Sequence, residues 1–542
     1  MRSLILLLLA LCIGFAKTDI ILEFLESKPK GLARDFYIWQ FLSNEHTSLQ
    51  DALKAYELIH RKTSKLDSLM SAKGKVSELP RKLYCQRLSF ESLKKQDKDC
   101  IKSGLNLANV PTMPQKNKDF LLKTFQNDPT YKKRIEILSK PNILTGMLNS
   151  DAATFAALYY TLRDNQRLQI INQTIKPQAL KKFADENNKS FNNMLQKIIV
   201  THDNSYAKFK KSLIGAKITG ADSYTLFLLG LNEILHQKPK AALEYFRLSS
   251  KNAPTAMQKN RALFWEYSLS HDNKVLENLA SSTNVDLYTI YANQKLGVKP
   301  SYEVVTDLGK LSPKKPDFDI KDPFQWQLLK DNLSQVKSDK DLEELSKHFT
   351  YEDTSAHLAY VLNQLNKFKI HYFITPFSDK LKWKSDHEKA FTYAIAKQES
   401  TLLPALVSTS YALGMMQIMP FNVEPFAKSL KRDNITLEDM FNPITALEFG
   451  TFYLNDLGRE FKHPLFVSYA YNGGPGFLRR TLKTKKFFLK NRNYEPWLSM
   501  ELIPYKESRD YGFRVLANYI VYQESFGNTI NLEEYLKQTL IN

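Results

Sequence analysis

The stretch "FTYAIAKQESTLLPALVSTSYALGMMQIMP", Phe391 to Pro420, holds a single carboxylate, Glu399, in an otherwise apolar and hydroxyl-rich run. If the chain before Pro404 is helical, Phe391, Ile395 and Glu399 fall at i, i+4 and i+8 on one face. Ala394 and Leu402 share that face, so it reads as core-facing. The acid then points to the interior or a cleft. It sits in the last helical turn, where the negative end of the macrodipole disfavours a carboxylate. Apolar neighbours remove water and act in the same direction. Both effects raise the pKa, as a general acid working near neutral pH requires.

Outward from this stretch, composition favours helices. Gly is 18 of 542 residues, below the usual share of about 7%. Val is sparse, while Leu, Lys, Ala, Glu and Gln are abundant. The length is too great for one core and implies roughly two to four domains. The formal charge of +19 suits a polyanionic partner such as nucleic acid, anionic lipid or an acidic polymer.

The first residues, "MRSLILLLLALCIGFAKTD", read as an export signal. Arg2 supplies the positive end, Leu4 to Phe15 an apolar run of 12 residues, and Gly14-Phe15-Ala16 a small-x-small cleavage pattern. Residues 1–16 are therefore expected to be removed and the mature chain to enter the periplasm. Lipid attachment at Cys12 is disfavoured by the bulky Leu11 before it. The apolar run is shorter than the ~20 residues needed to span a bilayer, and no later segment qualifies. Two cysteines remain, Cys85 and Cys100. In an oxidising compartment they can close a 15-residue loop, worth about 3 kcal/mol; the alternative is two unpaired core thiols. The ten His residues are scattered, and "HEKAF" at His387 lacks the second His of a zinc-protease helix. No metal and no cofactor are expected.

Residues 17–296 read as successive helices with short polar breaks. "SYTLFLLGLNEILHQ" (223–237), "PKAALEYFRLSSKNA" (239–253) and "AMQKNRALFWEYSLSHD" (256–272) each carry an apolar stripe at helical spacing. Units of about 30–35 residues suggest helical hairpins stacked in a solenoid, because one hairpin cannot bury its apolar face alone. Trp265 and Tyr267 then read as core. The proline- and charge-rich stretch 295–323 marks a boundary. A small helical block, 297–370, follows as a linker, and 371–542 holds the sharp motifs.

Those motifs are "KQES", "SYALGMMQIMP", "AYNGGPG" and "IPYKESRDY", with "FNPITALEFGTFYL" (441–454) between them. In order and spacing they resemble the catalytic domain of soluble lytic transglycosylases, goose-type-lysozyme-like enzymes that cut peptidoglycan glycan strands. The resemblance covers about 371–542. It implies an all-α protein: an N-terminal ring-like helical superhelix, a small helical linker domain and a C-terminal lysozyme-like α domain. The upstream part rests on element order and helical character. By the resemblance, Glu399 is the single catalytic acid and base, and Ser408 a hydroxyl that hydrogen-bonds in the site. Gln417 and Met419 line the glycan cleft, Tyr471 and Asn472 stand beside the scissile bond, and Glu507 is a second carboxylate at the border. Tyr471 is expected to orient Glu399 or the sugar, and Asn472 to supply amide hydrogen bonds. One departure is Gly414-Met415-Met416-Gln417 where the family usually has Gly-Leu-Met-Gln, a swap that conserves volume and polarity. Another is Gly473, where Ala is common.

The resemblance further implies a monomer acting on peptidoglycan strands and muropeptides, with cell-wall synthesis proteins as partners. No Asp or Glu lies between Thr401 and Val423, although glycoside cleavage usually takes two carboxyl groups. In the family the single Glu serves twice, and the product is a 1,6-anhydro sugar. A hydrolytic lysozyme on the same fold and a non-enzymatic wall-binding scaffold are the alternatives. The glycines of "YNGGPG" have neither a preceding strand nor a following Gly-Lys-Ser/Thr, so they read as a tight turn presenting Tyr471 and Asn472. "RRTLKTKKFFLKNR" (479–492) has seven basic residues and no acid. A solvated face is the plain reading, contact with acidic peptide stems the functional one; no nucleic-acid-binding module is recognisable.

Overall fold

Apolar stripes at helical spacing, punctuated by Asp, Thr, Asn and Pro, fold here into helices capped by those residues. The computed structural model describes residues 20–201, 204–336 and 338–541. The expected export signal, 1–16 with Cys12, lies outside the described residues. Among these, no helix is long and apolar enough to cross a membrane.

Packing divides the chain into two compact units. One gathers the described part of Met1–Gly104 with Asp322–Asn332 and Val407–Tyr411. Its helix Leu32–Ser43 buries Phe36, Tyr37, Ile38, Phe41 and Leu42. Aromatic stacking recruits the two later segments: Tyr37 lies 5.5 Å from Phe324, and Trp39 lies 5.6 Å from Tyr411, ring centre to ring centre. Asp35 is buried, and its carboxylate accepts from the backbone N–H of His60 and Arg61 at 2.7 and 2.8 Å. Cys85 and Cys100, on helices Arg81–Arg87 and Lys98–Gly104, form a disulfide with their Cα atoms 5.3 Å apart.

The second unit comprises Leu105–Lys321, Leu333–Leu406 and Ala412–Asn542. Helices Ser223–Leu235, Pro239–Lys251, Ala256–Ser270, Asn273–Ala280 and Leu287–Leu296 pack each on the next. Their starts are set by Asp222, Thr255, Asp272 and Asp286, whose side chains accept from first-turn N–H groups, and by Pro239 at a first helical position. Trp265 is fully buried in this stack. Among the described residues the fold is all-α apart from one pair of three-residue strands. Glu303–Val305 and Ile370–Tyr372 run parallel. The first falls in the stretch read from sequence as a boundary, and the second straddles the expected border between linker and catalytic segment at 370/371; "EVV" and "IHY" are rich enough in β-branched and aromatic residues to pair once brought together.

Near the C-terminus, helix Asp386–Ser400 packs on Lys506–Ser525 and on Pro443–Phe461, and Pro464–Gly473 also packs on Lys506–Ser525. Gly512 permits the last contact: a Cβ there would stand 2.2 Å from Tyr469.

Candidate active site

The Glu399 helix starts at Ser385, whose hydroxyl accepts from the Glu388 N–H, and ends at Ser400. It stops four residues short of Pro404, because Thr401 and Leu402 take left-handed conformations at φ 53° and 71°. Leu402 is buried but off the helix, which corrects its placement on the Glu399 face. The end of the helix is tied to the following loop through the Ser400 hydroxyl, which donates to Met415 O at 2.8 Å.

That loop is a tight hairpin in which Leu413 and Ile418 exchange backbone hydrogen bonds at 2.9 Å. Gly414 turns at φ 74°, and a Cβ there would meet Met440 O at 1.8 Å, so only glycine fits. Gln417 also has positive φ, 49°. Its side chain is buried, with Nε2 donating to Gly414 O at 2.8 Å and Leu406 O at 3.1 Å. The amide thus braces the turn. Met415 and Met416 are fully buried, and Met416 packs where Gly450 leaves room. Met419, half-buried, precedes the helix Pro420–Ser429.

Glu399 itself is half-buried. Loss of hydration around the carboxyl raises its pKa to about 7, with a smaller push from Glu507 and an opposing pull from one hydrogen bond. That bond comes from the Tyr511 hydroxyl, which donates to Oε1 at 2.7 Å. Tyr471 also stands in the field of Glu399, and burial drives its own pKa well up. Its hydroxyl donates to Met416 O at 2.7 Å. The hydroxyl bonded to Glu399 is thus that of Tyr511, whereas that of Tyr471 bonds the hairpin. Tyr453 lies 5.4 Å from Tyr471 and Phe426 5.0 Å from Tyr453, so aromatic faces continue from Tyr471.

Asn472 accepts at Oδ1 from the Ser508 hydroxyl at 2.7 Å. Gly474, at φ 83°, makes the sharp exit from that helix into Pro475–Lys483. Glu507 is exposed in the first turn of Lys506–Ser525. Ser408 belongs to the other compact unit, where its hydroxyl accepts from the Ser410 N–H at 3.2 Å. In the basic run, Arg479 forks onto Glu460 at 2.7 and 2.6 Å, and Arg492 pairs with Glu495. Among the described residues no group of three or more His, Cys, Asp or Glu side chains is placed to hold a metal ion.

The second unit thus gathers Glu399, Gln417, Tyr471, Asn472 and Glu507 around one hairpin and three helices. What it offers chemically is the Glu399 carboxyl, its pKa raised to about 7 by low hydration, beside phenols and aromatic faces suited to sugar rings. Residues 376–494 match the family model described as the Transglycosylase SLT domain. Two curated relatives match part of this chain. The soluble lytic murein transglycosylase of Salmonella typhimurium is 32% identical over 144 residues, 26% of this chain and 22% of that protein. That of Escherichia coli K12 is 31% identical over 142 residues, 26% and 21%. The chain thus spans about a fifth of the length of these relatives. Among solved structures, the 70 kDa soluble lytic transglycosylase of E. coli covers 96% of this chain and 84% of its own at 18% identity and TM-score 0.49. The lytic transglycosylase Slt of Pseudomonas aeruginosa covers 94% and 84% at 15% identity and TM-score 0.47.

Proposed function

We propose that the protein is a peptidoglycan lytic transglycosylase that cleaves the β-1,4 bond between N-acetylmuramic acid and N-acetylglucosamine without water. The observation that carries this reading is the half-buried Glu399 carboxyl, held near pKa 7 and bonded to Tyr511. Near neutral pH such a group is populated in both protonation states, as acid and then base catalysis by one residue requires. In the first step Glu399 gives its proton to the bridging oxygen as the bond to muramoyl C1 breaks. The substrate's own N-acetyl carbonyl takes up the positive charge at C1. In the second, the Glu399 carboxylate removes the proton of the C6 hydroxyl and O6 closes on C1. The proton lent is returned, and the product ends in 1,6-anhydro-N-acetylmuramic acid.

The other assignments join this proposal. Met419, Tyr471 and Asn472 are proposed to line the glycan groove, with Gln417 holding its hairpin wall. Residues 17–296, 297–370 and 371–542 are proposed as superhelix, linker and catalytic domains of a monomeric periplasmic protein that loses residues 1–16 on export. Hydrolysis is a second reading, favoured by one observation: Glu507 lies close enough to Glu399 to raise its pKa, and a hydrolase needs a base for water. Digestion of purified sacculi separates the two. Anhydro ends are lighter than hydrolysed ends by one water, and Glu399→Gln should release neither.

A further inference from the structure

The helix that carries Tyr511 is held by residues from far upstream in the chain. Arg261, on Ala256–Ser270, is 2% exposed. Its Nη2 donates to Asp510 Oδ1 at 2.7 Å, and its Nε donates to the Tyr288 hydroxyl at 2.9 Å. Nε also lies 3.4 Å from Glu501 Oε2. The Tyr288 hydroxyl donates to Glu501 Oε1 at 2.6 Å. Asp510 takes a further bond from Lys506 Nζ at 2.6 Å. The neighbouring Arg509 donates to the Tyr224 hydroxyl at 2.5 Å and to Ile503 O at 2.6 Å.

Buried ion clusters contribute little net stability compared with apolar packing of the same volume, but the directional bonds of this one join Ala256–Ser270, Leu287–Leu296 and Lys506–Ser525. This one acts on the residue directly before Tyr511. A helix advances 1.5 Å and turns 100° per residue, so a slip of about 1 Å or a modest rotation would open a 2.7 Å hydrogen bond. The matched family segment ends at 494, before Glu501, Asp510 and Tyr511, and Arg261 lies well outside it. We propose that Arg261 is a positioning residue for the site: by clamping Asp510 it sets the register of the Lys506–Ser525 helix at which Tyr511 meets Glu399. Its catalytic consequence rests on the proposed function above; its geometric consequence does not.

The test titrates the Glu399 carboxyl in the full chain by carbon-13 NMR with labelled glutamate, the signal being assigned by its loss in Glu399→Gln. The groups facing that carboxyl are Tyr511 and Glu507 from one helix and Tyr471 from another. Because the Tyr511 bond favours the charged form, Arg261→Met should move the midpoint upward, as should Tyr511→Phe. The double variant should shift less than the sum of the two. On sacculi, kcat should fall about tenfold with little change in KM, and Arg261→Lys, which keeps a cation for Asp510, should recover most of it. A folded Arg261→Met with wild-type midpoint and kcat overturns the proposal, as does a full additional shift in the Tyr511→Phe background. Should Arg261→Met not fold, Asp510→Asn, which keeps the volume and removes the clamped charge, is read by the same criteria. The titration needs no turnover, so a chain inactive on sacculi would overturn the proposed function and leave the Arg261 effect measurable.

Discussion

Holding the Glu399 carboxyl near pKa 7 costs the fold energy, and the cost depends on pH. In the unfolded chain the group loses its proton near pH 4.3. Between that value and about 7 the folded state binds more protons, so stability falls as pH rises through this window. Glu399→Gln removes the dependence. Relative to wild type, the variant should gain up to about 3 kcal/mol at pH 8 and little at pH 4, measured by urea unfolding at both values. At the same residue scale, Tyr511→Phe removes a donor that lowers the pKa of Glu399. The alkaline limb of the pH–rate profile should move upward, and the rate at pH 7 should fall about 10- to 100-fold. An unchanged limb would mean that the Tyr511 hydroxyl does not act on the carboxyl. Tyr511 was within reach of sequence reading, since it closes the motif "IPYKESRDY" four residues after Glu507 and shares its helical face. Two things hid it: the contact spans 112 residues, and Tyr471 stood in the more familiar motif.

At the scale of elements, the site depends on a hairpin that side-chain patterning describes poorly. Spacing alone made Glu399 a core-facing helix residue, and the helix is there. Its end was misjudged because Thr401 and Leu402 reverse the chain with positive φ, which neither residue type signals. The job of Gln417 was equally illegible: its amide is consumed by Gly414 and Leu406 carbonyls, partners set by the turn. Gly414→Ala would put a methyl group 1.8 Å from Met440 O at φ 74°. It should cost about 2–4 kcal/mol by thermal or urea unfolding and depress activity, because the Met415 and Met416 carbonyls that hold Ser400 and Tyr471 would shift. Full stability in that variant would show that the hairpin relaxes freely.

Over the whole molecule, helical periodicity made the all-α class and the stacked hairpins between Ser223 and Leu296 readable from the chain, because each helix must bury one stripe against the next. The pair Glu303–Val305 and Ile370–Tyr372 was not readable, since three-residue strands form only when tertiary packing brings them together. The grouping of Val407–Tyr411 with the first unit was equally hidden; stacking of Tyr411 on Trp39 has no local signature. Within that unit, the Cys85–Cys100 link closes a short loop. Replacing both cysteines by serine should lower its unfolding free energy by about 2–4 kcal/mol, seen as a lower midpoint under non-reducing conditions and lost in reductant. The most direct measurement remains the mass of the glycan ends that the purified chain releases from sacculi. The account predicts anhydro-muramoyl ends, absent with Glu399→Gln; ends heavier by one water, or equal release by the variant, would contradict it.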